Sequence, residues 1–267
     1  MQYLIKILIV VALITMVGCA TAPEIQKPLA SPLSSEISVF RSPILDQTNH
    51  TVQYLNKDKD ILYYQTYGGG GAGLGLLAGP FGVVANIKMI ESATMKDVTV
   101  LNEKLGVSIS DLFGKAAEAN DYVMSASDST SGIRINPYLL VEKTEGEQLM
   151  LASVLLVDTS AKFPNKYVVQ LPVQYGVEQL SSLSEDERAN LERLVVDGFA
   201  SLLNRLKAET TVDVALEKKI KVKSEFLSPR FNFEMPASLI EIEGDLVWVR
   251  MIGSVAGVYQ QHITYKE

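Results

Sequence analysis

From Leu191 to Leu206 the apolar residues recur every three or four positions: Leu191, Leu194, Val195, Phe199, Leu202, Leu203 and Leu206. That spacing places them on one stripe of a helix, which must lie against another apolar surface. Upstream, Ser184 and Glu187 have the S-x-x-E spacing of a capping box, in which each side chain satisfies a backbone N–H at the helix start. A shorter helix is predicted over "SDLFGKAAEAN", with Ser110 as N-cap, Asn120 at its end and Leu112, Phe113, Ala116 and Ala117 on one face. Residues 88–103 also have helical composition. Their β-branched run Val98, Thr99, Val100 predicts that the helix there gives way to loop.

Between and after these stretches the pattern turns to strands. "TVQYL" and "ILYYQTY", separated by the charged "NKDKD", read as a hairpin. "DYVMSA", "INPYLLVEK", "QLMLASVLLVD" and "KYVVQLPVQY" follow with short turn-rich gaps, which favour antiparallel neighbours. The unbroken apolar run from Leu149 to Val157 belongs at the centre of a sheet. "KIKVKSEFL", "SLIEIEG", "LVWVRM" and "GVYQQHITY" add strands near the end, with Gly244 and Asp245 at a hairpin turn. The expected fold is therefore α+β: an antiparallel sheet covered on one face by helices, with additional C-terminal β-strands.

The start of the chain changes the picture. Lys6 precedes an apolar stretch from Ile7 to Val17, interrupted only by Thr15, and small Gly18 precedes Cys19. The stretch is shorter than the roughly 20 residues of a bilayer span and reads as a removable export signal. "MVGC" resembles the lipobox of bacterial lipoproteins, with Met16 where that family more often has Leu. The resemblance implies cleavage before Cys19, a diacylglycerol on its thiol and acylation of its new amino group. Cys19 is also the only cysteine of the 267 residues, so no disulfide can form and stability must come from packing. Several acyl chains hold a protein to a membrane nearly irreversibly. Ala20 stands where the inner-membrane retention signal of Gram-negative lipoproteins has Asp, which implies the periplasmic face of the outer membrane.

This divides the chain into a signal peptide (1–18), a lipidated cysteine and tether (19–35), an α+β domain (36–211) and a β-rich C-terminal region (212–267). The tether, with three prolines from Ala20 to Ser35, reads as extended chain lifting the folded part off the bilayer. The 267 residues less the first 18 leave 249, enough for a sizeable core. Loss of Lys6 takes the formal charge from −7 to −8, and no basic stripe with interleaved aromatics occurs. An acidic chain gains nothing from counterion release, so nucleic-acid binding is not expected.

"LMLASVLLVDTSAKFPNKYVVQLPV" followed by "VVDGFASLLNRLKAE" resembles the α+β domain of Gram-negative periplasmic accessory lipoproteins, including auxiliary lipoproteins of ABC transporters. In that group a helix pair covers one face of a small sheet. The likeness covers under half of the mature chain, and the chain departs from it in its glycine tract and C-terminal strands. The whole chain is also similar to bacterial lipoproteins with a "YGGGG" tract, which implies no activity.

That tract, within residues 67–87, holds eight glycines and no charge among its first twenty-one positions. Gly68, Gly70 and Gly73 satisfy G-x-G-x-x-G after a strand, and Glu91 is near the place of a ribose-binding acid. The spacing is almost free in a run of four glycines, however, and an exported protein has no ready nucleotide supply. Gly71, Gly75 and Gly79 form a G-x-x-x-G-x-x-x-G stripe suited to close helix packing, and residues 68–87 have the length of a bilayer crossing. Eight glycines and Pro80 make a poor helix. A packed loop leading to a short helix, a self-association surface in a homo-oligomer, and a membrane-inserting glycine zipper stay open as readings.

Candidate chemistry is sparse. His50 and His262 are the only imidazoles, the first in a polar loop and the second in a C-terminal strand where a structural role is expected. No G-x-S-x-G elbow and no zinc-ligand spacing occurs. Asn56, Asp58 and Asp60 could meet a hard cation, but a solvated hairpin turn accounts for them. Glu241 and Glu243 share a strand face, the pattern of the wet side of an amphipathic strand. The sequence thus implies no cofactor and no metal. It points to a non-enzymatic accessory or interaction module acting on an envelope protein partner, with a glycine-zipper assembly or an unrecognised hydrolase as alternatives.

Overall fold

The computed structural model describes residues 25–29, 34–42, 52–56, 60–65, 79–102, 104–125, 133–144, 146–159, 164–209, 213–228 and 233–267, the side chains of 52–56 and 79–86 excepted. Its strands are β1 (Glu36–Val39), β2 (Val52–Asn56), β3 (Ile61–Gln65), β4 (Val123–Ser125), β5 (Ile133–Lys143), β6 (Leu149–Val157), β7 (Asn165–Tyr175), β8 (Lys218–Lys223), β9 (Met235–Glu243), β10 (Leu246–Met251), β11 (Ser254–Tyr259) and β12 (Thr264–Lys266). The helices are α1 (Gly79–Asn102), α2 (Ile109–Ala119), α3 (Val177–Leu180) and α4 (Glu185–Glu209). The fold is α+β. All the strands join one mixed sheet in the order β12-β8-β9-β10-β11-β7-β6-β5-β1-β4, with β3 beside β5 and β2 beside β3.

Most pairings are antiparallel, as the short turns require. Four are parallel: β1–β4, β1–β5, β3–β5 and β7–β11. The expectation of an antiparallel sheet is corrected to this extent. Turn signals report only chain neighbours such as β5–β6–β7, whereas these four pairs join segments separated by helices or several strands. β5 is long enough to take two partners on one edge, β1 along Ile133–Ile135 and β3 along Leu139–Lys143. Through β7–β11 the C-terminal strands continue the same sheet.

Alternation along the strands separates two apolar clusters. Leu149, Leu151, Leu155 and Val157 of β6 join a cluster with Val98 and Leu101 of α1, Phe113 of α2, and Leu191, Phe199 and Leu202 of α4. Met150, Ala152, Val154 and Leu156 join a second one made of strand residues together with Phe226, Leu227 and Ile263. Every residue of β6 is buried, which explains its unbroken apolar run. α4 lies on β6 and β7, and Phe199 meets Phe113 edge to face with ring centroids 5.5 Å apart.

The capping box forms: Glu187 N–H donates to Ser184 Oγ (3.3 Å) and Ser184 N–H to Glu187 Oε2 (2.9 Å). α2 begins two residues earlier than expected, with Ser108 as N-cap and Ser110 inside the helix, because Ile109 is fully buried and extends the apolar face. α1 does not give way at Val98. It runs on to Asn102, since Val98 and Leu101 are buried and their packing outweighs the weak propensity of β-branched residues. Gly244 (φ 57°) turns β9 into β10 and Gly253 (φ 72°) turns β10 into β11, conformations that glycine reaches without a Cβ clash.

Part of the tether is not free. Ile25 forms a bridge with Ile252, Gln26 N–H donates to Met251 O (2.9 Å), Lys166 N–H donates to Gln26 Oε1 (3.1 Å) and Asn165 Nδ2 donates to Lys27 O (3.2 Å). Gln26 is buried. Residues 25–29 are therefore a strap across the β10–β11 turn and the start of β7, contrary to an extended tether throughout 19–35. Backbone groups left unpaired at the end of a sheet favour this docking. No helix among the described residues is long and apolar enough to cross a membrane.

Candidate functional site

Cys19, His50, Asp58, Gly68, Gly70, Gly71, Gly73 and Gly75 lie outside the described residues. Gly79 is the first residue of α1, and Glu91 is exposed on that helix. Asp60, at φ 53°, pairs with Arg41 (3.3 Å). Among the described residues no group of three His, Cys, Asp or Glu converges as a metal site.

His262 lies in a 3₁₀ turn after β11, not in a strand. An open depression of about 350 Å³ brings it near Ser224, Glu225 and Thr264, the residue types a hydrolase would use. The hydrogen bonds run elsewhere. Gln170 Oε1 accepts from Tyr259 N–H (3.2 Å), which leaves the Gln170 amide nitrogen to donate to His262 Nδ1 at 2.6 Å. Nδ1 is then an acceptor and Nε2 carries the proton; the Gln174 amide nitrogen lies 2.9 Å from Nε2, and that amide must turn its oxygen to the ring to accept from it. Burial holds the imidazole below its ordinary pKa, with Glu225 opposing. Ser224 Oγ accepts from the N–H groups of Phe226 and Leu227 and so caps a turn. A nucleophile hydrogen-bonded to a base is the geometry such chemistry needs, and His262 and Ser224 are each committed to other partners.

Glu241 and Glu243 are more than a wet face. Glu241 pairs with Arg205 of α4 and Glu243 accepts from Trp248 Nε1 (3.3 Å). Arg205 also lies 3.6 Å from Glu209 and over the Trp248 ring. Next to them Arg250, fully buried on β10, donates from both terminal nitrogens to Glu209 (2.6 and 2.8 Å) and from Nε to Glu217. Bidentate pairing of this kind satisfies a guanidinium out of water. A second buried set ties α1 to the sheet: the Tyr63 hydroxyl is 2.6 Å from both Asp97 Oδ2 and Gln65 Oε1, and Lys143 Nζ donates to the same Asp97 oxygen (2.8 Å). Burial, with the Asp97 hydrogen bond, holds the Tyr63 phenol protonated. Both networks have partners for most of their polar atoms, which suits them to fixing elements in place.

One charged pair differs. A cavity of about 250 Å³ opens on the sheet face opposite α4 and is lined by Leu62, Leu140, Val168, Phe226, Met251 and, among polar groups, Glu142 and Lys166. Glu142 is 5% exposed. Burial raises its carboxyl to about 8, with Lys166 pulling the other way, and burial lowers the Lys166 ammonium, with Glu142 opposing. Register puts Glu142 opposite Met150 and Lys166 opposite Leu156, about 20 Å apart along a flat strand. Both nonetheless line one cavity. The signal for Glu142 was present in "YLLVEK", where it shares parity with Tyr138 and Leu140 on a two-residue repeat. No sequence rule pairs it with Lys166.

No family model, curated protein or solved structure matches the chain.

Proposed function

We propose that the protein is a lipid-anchored lipoprotein on the periplasmic face of the outer membrane, a non-enzymatic accessory or interaction module of the cell envelope. The observation that carries this reading is an apolar export signal ending at the chain's only cysteine, followed within six residues by a docked strap. Ile25 is fixed against Ile252, so residues 19–25 span at most about 20 Å even when fully extended. Lipid on Cys19 then holds the β10–β11 end of the sheet close to the bilayer, as a short leash. Exposed Ile252 sits at that end. In this reading α1, α2 and α4 cover one face of the sheet, and a protein partner meets the surface pointing away from the membrane. The engagement of His262 by two glutamines supports contact over catalysis as the mode of action.

Envelope fractionation tests the reading. The wild-type protein is expected with outer-membrane vesicles, and Cys19→Ser is expected to leave them. Crosslinking in intact envelopes is expected to capture a protein partner with wild type and to capture less of it with Cys19→Ser. A wild-type protein that fractionates as soluble contradicts the proposal.

A further inference from the structure

The β3–β5–β7 cavity holds a feature that neither anchoring nor packing uses. Among the described residues, neither the Glu142 carboxyl nor the Lys166 ammonium makes a hydrogen bond or an ion pair, although Glu142 is nearly buried and both line the cavity. Elsewhere buried charges in this fold are paired directly, Arg250 with Glu209 and Lys143 with Asp97. Desolvating a carboxyl and an ammonium without direct partners is costly. Such groups facing a cavity are the hallmark of a site that a ligand completes.

The walls define the ligand. Leu62 and Leu140 come from one side, Val168 from the floor, and Phe226 and Leu227 from the turn after β8 that folds over this face; Met251 stands at the strap end. A volume of about 250 Å³ holds on the order of eight to ten non-hydrogen atoms, at roughly 30 Å³ for each water-sized group. We propose that this cavity binds a medium-chain alkyl carboxylate, its headgroup held between Lys166 and Glu142 and its chain against Leu62, Leu140, Val168 and Phe226. Lys166 supplies the counter-charge. Glu142, in its protonated form, donates to a ligand oxygen, so that two carboxyl groups share one proton. The other titratable groups lining the cavity are Tyr64 of β3 and Tyr138 of β5; the turn supplies Phe226 and Leu227, and β10 and β11 supply Met251 and Ser254. Ionisation of Glu142 and loss of the Lys166 proton, which burial favours, act in the same direction, and binding weakens as pH rises through about 8.

The test is calorimetric titration of the full protein in lipid nanodiscs with octanoate, using empty nanodiscs as the blank. One octanoate per chain is expected, with affinity falling at least tenfold between pH 7 and pH 9. Hexanoate and tetradecanoate are expected to bind more weakly than octanoate. Lys166→Met is expected to abolish binding, and Glu142→Gln is expected to bind with a smaller pH dependence than wild type, the remainder being that of Lys166; far-UV circular dichroism verifies that both variants are folded. The chain-length series on the wild-type protein tests the proposal even where a variant does not fold. Absence of octanoate binding, equal binding of octanol or octylammonium, or 8-aminooctanoate binding that strengthens toward pH 9 would each overturn it, the last by identifying a zwitterion site.

Discussion

Replacing Gly198 by alanine probes how α4 seats on the sheet. An added Cβ would lie 2.6 Å from Ser153 Oγ, 2.9 Å from Leu171 Cδ2 and 3.1 Å from Ser153 Cβ. The Ser153 hydroxyl cannot turn away without cost, because it donates to Val195 O of α4 at 3.2 Å. Alanine favours a helix over glycine by roughly 1 kcal/mol. Against that stand about 1 to 3 kcal/mol of overpacking and about 1 kcal/mol for the disturbed Ser153 bond. The expected net loss is about 1 to 3 kcal/mol. In a Ser153→Ala background the closest clash is gone, leaving the mobile end of Leu171 and the retained Cβ of residue 153 at 3.1 Å to give by a few tenths of an ångström. Gly198→Ala should then cost less than about 1 kcal/mol, giving a coupling of roughly 1 to 2 kcal/mol between the positions. Urea unfolding followed by Trp248 fluorescence reads both numbers, since it is the only tryptophan and is 1% exposed. Stabilisation by Gly198→Ala alone, or strict additivity with Ser153→Ala, would refute the close approach of α4 to β6.

Three further outcomes follow from the polar groups. Arg250→Ala leaves the Glu217 carboxylate without its cation and Glu209 with only the more distant Arg205, and should cost about 3 to 5 kcal/mol in the same urea assay, while adding Glu209→Gln and Glu217→Gln should recover part of the loss. Because the folded imidazole of His262 lies below its ordinary value of 6.5, the unfolded chain takes up a proton first; stability is retained above pH 6.5 and falls as pH drops below it, a slope that His262→Gln should remove from a pH series of urea midpoints. Glu187 is held below its ordinary value of 4.5 chiefly by the Ser184 backbone N–H. Its contribution is present above pH 4.5 and is lost as pH falls through the folded value, so Glu187→Gln should flatten the acid side of the same series, while Ser184→Ala, which keeps the backbone N–H, should flatten it only in part.

Legibility in the sequence followed the range of the interaction. The capping box at Ser184, the α4 stripe and the Gly244 turn depend on residues a few positions apart, and each was readable from spacing. The burial of β6 on both faces was readable because nine consecutive residues, Leu149–Val157, lack a wet side. Val98 misled because its weak propensity is visible locally while the sheet that buries it is not. The parallel pairing of β7 with β11, the Arg205–Glu241 contact and the shared cavity of Glu142 and Lys166 depend on segments 24 or more residues apart. For the strap, the prolines from Ala20 to Ser35 predict extended backbone, but such a segment can either hang free or dock, and Gln26 docks.

The central claim is that Cys19 carries the lipid that holds this sheet, by a leash of six residues, beside a bilayer. Mass spectrometry of the N-terminal peptide from protein purified out of native membranes tests it most directly. The account predicts a chain beginning at Cys19, with a thioether-linked diacylglycerol and an acylated α-amino group. A free Cys19 thiol, or a chain that begins at another residue, would contradict it.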